Sequence, residues 1–241
     1  MARVRVRPVL AEVGRINMLF RLEQEAPGPH WRALDGSGVC EGVLAAEVDR
    51  VRARLAEMSG QGPEDVEWRV SASILHQGLA TRLLSPVLAA GLCHGVLLDA
   101  ARFHHDPGRE GPVVLRTAQE YAETAPVGEL ADWVEETVVT GVMGRIARAL
   151  SGVGRVAPGL LRGNTAAALA GAVRALGADR PGVRSAAEDL ARTLLARPPL
   201  AGTGGYTGTD AQGLAVFRRT TCCLYYRLPG YGTCGDCALG P

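Results

Sequence analysis

Four of the six cysteines in this 241-residue chain crowd its C-terminal end, as Cys222, Cys223, Cys234 and Cys237 of CCLYYRLPGYGTCGDC. The spacing obliges a vicinal pair and a C-x-x-C to share one short loop, which constrains the local fold more than any other feature. Gly230, Gly232 and Gly235 allow the tight turns such a loop needs. The other two cysteines, Cys40 and Cys93, stand alone and read as small hydrophobes.

Upstream, hydrophobic periodicity predicts helices. Residues 41–58 space Leu44, Val48, Val51 and Leu55 along one face, and Gly60 ends the run. A second helix is expected over 66–84, and a third from Pro86 at its first turn to about Gly95. Residues 127–150 read as one long helical stretch, with a weak point at Gly141 and Gly144. Asn164 is taken as the N-cap of a helix reaching about Leu176, and residues 182–196 form the last helix, stopped by Pro198 and Pro199.

Strand signals are few. Val4, Val6 and Val9 hint at one near the N-terminus, and ARFHHDPGREGPVVLRT reads as a β-hairpin around a turn-rich centre. AGTGGYTG reads as a flexible connector, and AQGLAVFRRTTCC as a strand or extended segment. Aromatics make up only 5% of the chain, so the core must be Leu, Val and Ala, which favours helix. The expectation is a mainly α fold, α+β by virtue of its small hairpin. A helix-dominated scaffold and substrate domain spans residues 1–200, and a cysteine-bearing segment spans 201–241.

The formal charge of +1 excludes nucleic-acid binding through a basic field. All 26 basic residues are Arg, a bias that accompanies abundant Ala, Gly and Pro. The first twenty residues show no secretory leader, and no run is long enough for a membrane span. A cytoplasmic location is expected, where clustered thiols serve as metal ligands or redox groups rather than structural disulfides. GVGRVA at 152–157 lacks the strand–turn–helix context of a dinucleotide site. His76 reads as a core histidine, while His104 and His105 are expected to face outward at the hairpin turn.

Three readings of the cysteines stand on spacing alone. Zinc would use the C-x-x-C, but a vicinal pair makes an awkward second half of a tetrahedral site. A redox disulfide lacks the surrounding βαβ pattern. A [2Fe–2S] centre takes four thiolates spread over two irons and tolerates diverging ligands. The cluster leads, with zinc still open.

The Cys-Cys, ten residues, Cys, two residues, Cys pattern resembles the C-terminal ligand set of the FhuF-like ferric-siderophore reductase family. CCLYYRLPGYGTCGDCAL is similar to that family's terminal segment beyond the cysteines themselves. SASILHQGLATRLLSPVLAAGLCHG and GNTAAALAGAVRAL look like the helical body of its actinobacterial members, while residues 1–65 resemble nothing specific. The resemblance implies a [2Fe–2S] cluster on Cys222, Cys223, Cys234 and Cys237 and demotes zinc. It also implies cytoplasmic one-electron reduction of a ferric siderophore, of the hydroxamate class, with electrons from an external ferredoxin or flavin reductase.

The alternative is a non-enzymatic protein holding [2Fe–2S] or structural zinc, acting as a redox or iron sensor or an electron-transfer module. No catalytic residue is assigned. Arg218, Arg219, Tyr225, Tyr226 and Arg227 are the candidate contacts for substrate or donor. Local packing of the tyrosines and solvated surface charge on the arginines are the competing readings.

Overall fold

The computed structural model describes residues 2–109, 111 and 113–240. Its centre is helix α3, Trp68–His94, buried at nearly every position along its length. A helix apolar all round belongs in the middle of a core, and α3 packs chiefly against the Ala-rich α6, Pro158–Asp179. Around this pair lie α1 (Val6–Val13), α2 (Glu41–Ser59), α4 (Val127–Val134), α5 (Met143–Gly154) and α7 (Arg184–Leu195). The core is Leu, Val and Ala, with Phe20 and Phe103 its largest fully buried side chains.

Among the described residues three small sheets complete the mainly helical fold. Strands β1 (Arg3–Arg5), β7 (Tyr121–Thr124) and β4 (Val96–Leu97) form one antiparallel sheet in that order. A second has the order β2 (Leu22–Gln24), β6 (Leu115–Thr117), β5 (Phe103–His105), β3 (Arg32–Ala33), with β2 and β6 parallel. The expected hairpin is the β5–β6 pair, with Phe103 opposite Thr117; Glu110 and Pro112 of its turn lie outside the described residues. The third sheet pairs β8 (Gly204–Thr209) with β9 (Ala215–Arg219).

Helix α2 starts and stops as its periodicity predicts, with Gly60 in the left-handed conformation after it. Several other elements differ from expectation. The two helices expected over 66–95 are a single one, Trp68–His94. Pro86 sits inside α3, where burial of the surrounding turn offsets a backbone penalty of about 3 kcal/mol. At the N-terminus only Arg3–Arg5 is strand, and Val6 turns inward as the first residue of α1. Helix α6 begins at Pro158 at its first position, six residues ahead of Asn164, so Asn164 lies within the helix and caps nothing.

The glycine-rich connector is strand β8, satisfied by its ladder to β9. The stretch 127–150 is helical throughout, and its weak point is a π-helical segment, Glu135–Val142. There the widened turn brings the Glu136 carbonyl within 2.5 Å of where a Cβ on residue 141 would stand, so Gly141 is required.

Candidate metal centre

Strand β9 delivers the chain to the cysteines and fastens it to the helical body. Phe217 enters the main core and meets Tyr206 edge-to-face at 6.0 Å. Arg219 is only 3% exposed. Its Nη2 donates to Asn164 Oδ1 at 2.5 Å and its Nη1 to Gln77 Oε1 at 3.3 Å. Asn164 Nδ2 in turn donates to the carbonyl and the hydroxyl of Ser73, both at 2.9 Å. The Ser73 hydroxyl donates onward to the Cys223 carbonyl at 2.7 Å. A continuous buried chain of hydrogen bonds thus runs from β9 through α6 and α3 to a cysteine backbone.

The loop also closes on itself. The Arg219 N–H donates to the Asp236 carbonyl at 3.1 Å, and Arg218 Nη1 to the Cys237 carbonyl at 3.3 Å. Close approach to α6 requires Gly163, because a Cβ there would stand 1.9 Å from Thr221 Oγ1. On the far side Leu228 is buried against Ala56, Val66 and Val70, with Tyr225 and Tyr231 packed around it.

All four thiols are free; Cys223 and Cys237 are buried, Cys222 and Cys234 half-buried. Cys223 Sγ and Cys234 Sγ lie 3.4 Å apart. That is near the roughly 3.8 Å edge of a tetrahedral thiolate pair with metal–sulfur bonds of about 2.3 Å. The Leu224 N–H donates to Cys222 Sγ and the Leu239 N–H to Cys237 Sγ, each at 3.3 Å. Such N–H···S bonds favour thiolate and metal-bound sulfur over thiol. To aim its N–H this way, Leu224 adopts φ +67, a left-handed conformation strained for leucine.

Burial pushes the Cys234 thiol well above its ordinary range, and the bond to Cys223 pushes further. Two crowded thiolates therefore need a cation between them. Cys223 and Cys234 stand as two thiolates on one metal would, with Cys222 and Cys237 on the same loop. This donor set fits a [2Fe–2S] cluster.

The flanking candidates separate into two groups. Tyr225 is half-buried, packs edge-to-face on Tyr231 at 5.5 Å, and is pushed up in pKa by burial first and by Tyr231 and the neighbouring thiols next. Arg219 is interior. Tyr226 and Arg227 are exposed: the Arg227 guanidinium lies over the Tyr226 ring and donates to Glu67 Oε1 at 2.6 Å. That bond, with help from Arg69, holds the Glu67 carboxyl below its usual range. Arg218 is half-buried along the cysteine loop.

Other residues singled out in the sequence lie outside this loop. His76 is fully buried, and among the described residues neither ring nitrogen has a hydrogen-bond partner. Burial, then the nearby Arg219 charge, lowers its pKa to about 3. His105 does not face outward; it is 2% exposed, with Nδ1 3.6 Å from the buried Glu47 carboxylate. His94 approaches Glu12 at 3.7 Å beside Cys93, whose thiol burial pushes up. Cys40 is exposed, just ahead of α2, rather than buried as a small hydrophobe. GVGRVA spans the end of α5 and the turn into α6, where no strand precedes a helix.

Sequence reasoning missed Ser73, Gln77 and Asn164. Their signal was present as small polar side chains set into otherwise Ala- and Leu-rich helices, with Ser73 and Gln77 four residues apart on one face.

Residues 219–239 match the family model of the FhuF 2Fe-2S C-terminal domain. The match begins at the buried Arg219 and takes in all four cysteines. No curated protein matches the chain. The resemblance to FhuF-like proteins holds in this segment, and its cofactor is a [2Fe–2S] cluster.

Proposed function

We propose that this chain, carrying a FhuF 2Fe-2S C-terminal domain, is a ferric-siderophore reductase working in the cytoplasm. The observation that carries the reading is the domain match over residues 219–239. Cys222, Cys223, Cys234 and Cys237 would hold the cluster, which when bound supplies one-electron redox chemistry. One electron suffices, because hard hydroxamate oxygens hold Fe(III) far more tightly than Fe(II). A ferredoxin or flavin reductase is the proposed donor, and a hydroxamate siderophore the proposed substrate.

The chain's own residues prepare the site for such a transfer. The Arg219–Asn164–Ser73 relay fixes the Cys223 backbone, so little rearrangement accompanies a change of charge. Leu224 and Leu239 direct N–H groups at sulfur, where they favour the more electron-rich state. The half-buried Cys222 and Cys234 place the ligands near a surface that a donor and a chelate can reach. No helix among the described residues is long and apolar enough to cross a membrane.

The test is anaerobic. Holoprotein reduced with dithionite and desalted is mixed with a ferric trihydroxamate and an Fe(II)-specific chelator. The expected outcome is return of the oxidised visible spectrum with about one Fe(II) trapped per cluster. If the cluster stays reduced in the presence of several ferric siderophores, the reductase reading fails and a sensor or electron-transfer role replaces it. Cys234→Ser should remove the native spectrum, whereas Cys40→Ser should leave it intact.

A further inference from the structure

We propose that the recess between α3, the 3-10 turn Met18–Phe20 and the cysteine loop is the seat of the iron chelate, and that it selects an electroneutral chelate with apolar flanks. This rests on the reductase reading for what the chelate is there to do; its location and charge preference are argued from the recess alone.

The recess has a volume of about 640 Å³, within the range that encloses a drug-sized molecule. Its floor is one stripe of α3. From Val70 to Leu92 that helix is buried at every position except Ile74, Gln77, Gly78 and Thr81. These four follow the i, i+3, i+4, i+7 spacing of a single helix face. The helix therefore opens at one place, and that place faces the cysteine loop. Cys223, Tyr225 and Cys234 form the opposite wall, so an occupant would lie against two of the four ligands.

Gly78 leaves the middle of this stripe without a side chain. A glycine within a helix costs about 1 kcal/mol relative to alanine. Close packing explains Gly91, Gly154 and Gly163, where an added Cβ would collide, but a Cβ at Gly78 would meet nothing within 4 Å. The same holds for Gly171 of α6, which lines a neighbouring recess of about 460 Å³ on the other side of Gly235. Gln77, Thr81 and Gly235 border both spaces. Two helices are bared where they face the C-x-x-C turn, leaving room for a body larger than either recess alone.

Charge decides the class of occupant. Among the described residues that line the larger recess, Arg82 is the one ionisable side chain other than cysteine and tyrosine. Its two Nη groups donate to the carbonyls of Met18 and Arg21, so it adds one buried positive charge whose Nη donors already have partners. The neighbouring recess contributes Asp236 and an Arg174–Asp210 ion pair. Among the described lining residues a multiply anionic chelate would find this one buried cation, set against the negative charge of a thiolate-held cluster, and would lose more hydration than it recovers. A chelate without net charge would bury its apolar flanks on Leu19, Ile74 and Val113, while Gln77 and Thr81 offer polar contacts.

The test is binding to the oxidised holoprotein, measured by calorimetry with redox-inert gallium(III) chelates. The neutral gallium complex of a macrocyclic trihydroxamate should bind at least ten times more tightly than the triply negative gallium complex of a tricatecholate. Gly78→Leu should weaken the neutral chelate at least tenfold while the visible spectrum and the helical circular dichroism stay unchanged. Thr81→Leu, on the same stripe, serves if Gly78→Leu does not fold, and Gly128→Leu on α4 is the control that should bind normally.

Wild-type affinity in folded Gly78→Leu or Thr81→Leu, equal affinity for the two chelates, or no binding of the neutral chelate to wild type would overturn the proposal. The two readings fail separately. Gallium chelate binding that Gly78→Leu abolishes, without Fe(II) release from reduced wild type, keeps the recess and removes the reductase. Fe(II) release with the recess variants binding normally does the reverse.

Discussion

The Ser73 hydroxyl of α3 donates to the carbonyl of Cys223 at 2.7 Å, joining residues 150 positions apart in the chain. The same hydroxyl accepts from Asn164, so one serine ties two long helices to the cysteine loop. Removing it would leave the Cys223 carbonyl and one Asn164 donor unsatisfied in a buried setting. Ser73→Ala should lower unfolding free energy by about 1–3 kcal/mol, read from urea denaturation of the holoprotein. Ser71, also buried on α3 but with no hydrogen-bond partner for its hydroxyl among the described residues, is the control. Ser71→Ala should cost less than about 1 kcal/mol.

Arg219 leads to a prediction about potential. Its buried guanidinium is met by the amide oxygens of Gln77 and Asn164 rather than by a carboxylate. A buried cation needs a counter-charge, and a [2Fe–2S] centre on four thiolates is a dianion when oxidised and more negative when reduced. Arg219→Gln should therefore make the midpoint potential more negative, by roughly 50–100 mV. That corresponds to the 1–2 kcal/mol expected of a unit charge at about ten ångströms in an effective dielectric near 20. Arg219→Lys should recover most of the shift. A spectroelectrochemical titration reads both, and an unchanged potential in Arg219→Gln would show that the charge acts on folding alone.

His76 makes stability depend on pH. Its folded pKa, about 3, lies below the ordinary value of 6.5, so between these limits the unfolded chain binds the proton and the folded one does not. Stability from this group is complete above pH 6.5 and declines as pH falls toward 3. Relative to pH 7.5, the contribution at pH 5 should be smaller by about 2 kcal/mol. His76→Leu should flatten that part of the profile. Comparing denaturation midpoints of the two proteins from pH 5 to 7.5 isolates it, because the carboxylates are common to both.

Gly78→Ala should stabilise the protein by about 0.5–1 kcal/mol, since the added methyl meets open space and gains helix propensity. A thermal melt of the holoprotein measures this. A loss of stability would mean that the α3 backbone at this position is held by something other than helix preference.

The parts of this fold that were legible in the sequence are those where a local rule and the tertiary environment agree. Leu44, Val48, Val51 and Leu55 repeat at helical spacing and Gly60 stops them, so α2 could be read almost to the residue. Pro86 and Asn164 misled because each has a strong local preference that burial overrides. The proline rides inside a fully packed helix, and the asparagine spends its amide on Ser73 and Arg219 instead of on a helix end. Strand β8 was hidden because glycines carry no alternation; only pairing with β9 defines it.

For the site, the cysteine spacing marked the loop but not its surroundings. Nothing local distinguishes the buried Arg219 from the half-buried Arg218 beside it. The difference arises from strand alternation against α6, which turns one side chain inward. The recess is less legible still. It comes from a stripe of α3 left uncovered by elements more than a hundred residues away.

The bond from the Arg219 N–H to the Asp236 carbonyl, with the Arg218 side chain on the Cys237 carbonyl beside it, turns the cysteine segment into a ring with a narrow neck. Closing a loop of that length from a free chain costs several kcal/mol of conformational entropy, and here the protein fold has already closed it. The cysteines thus share one short closed segment anchored to β9 and to Ser73, so the spacing offered to a metal is set by contacts to the helical body as much as by the loop's own sequence.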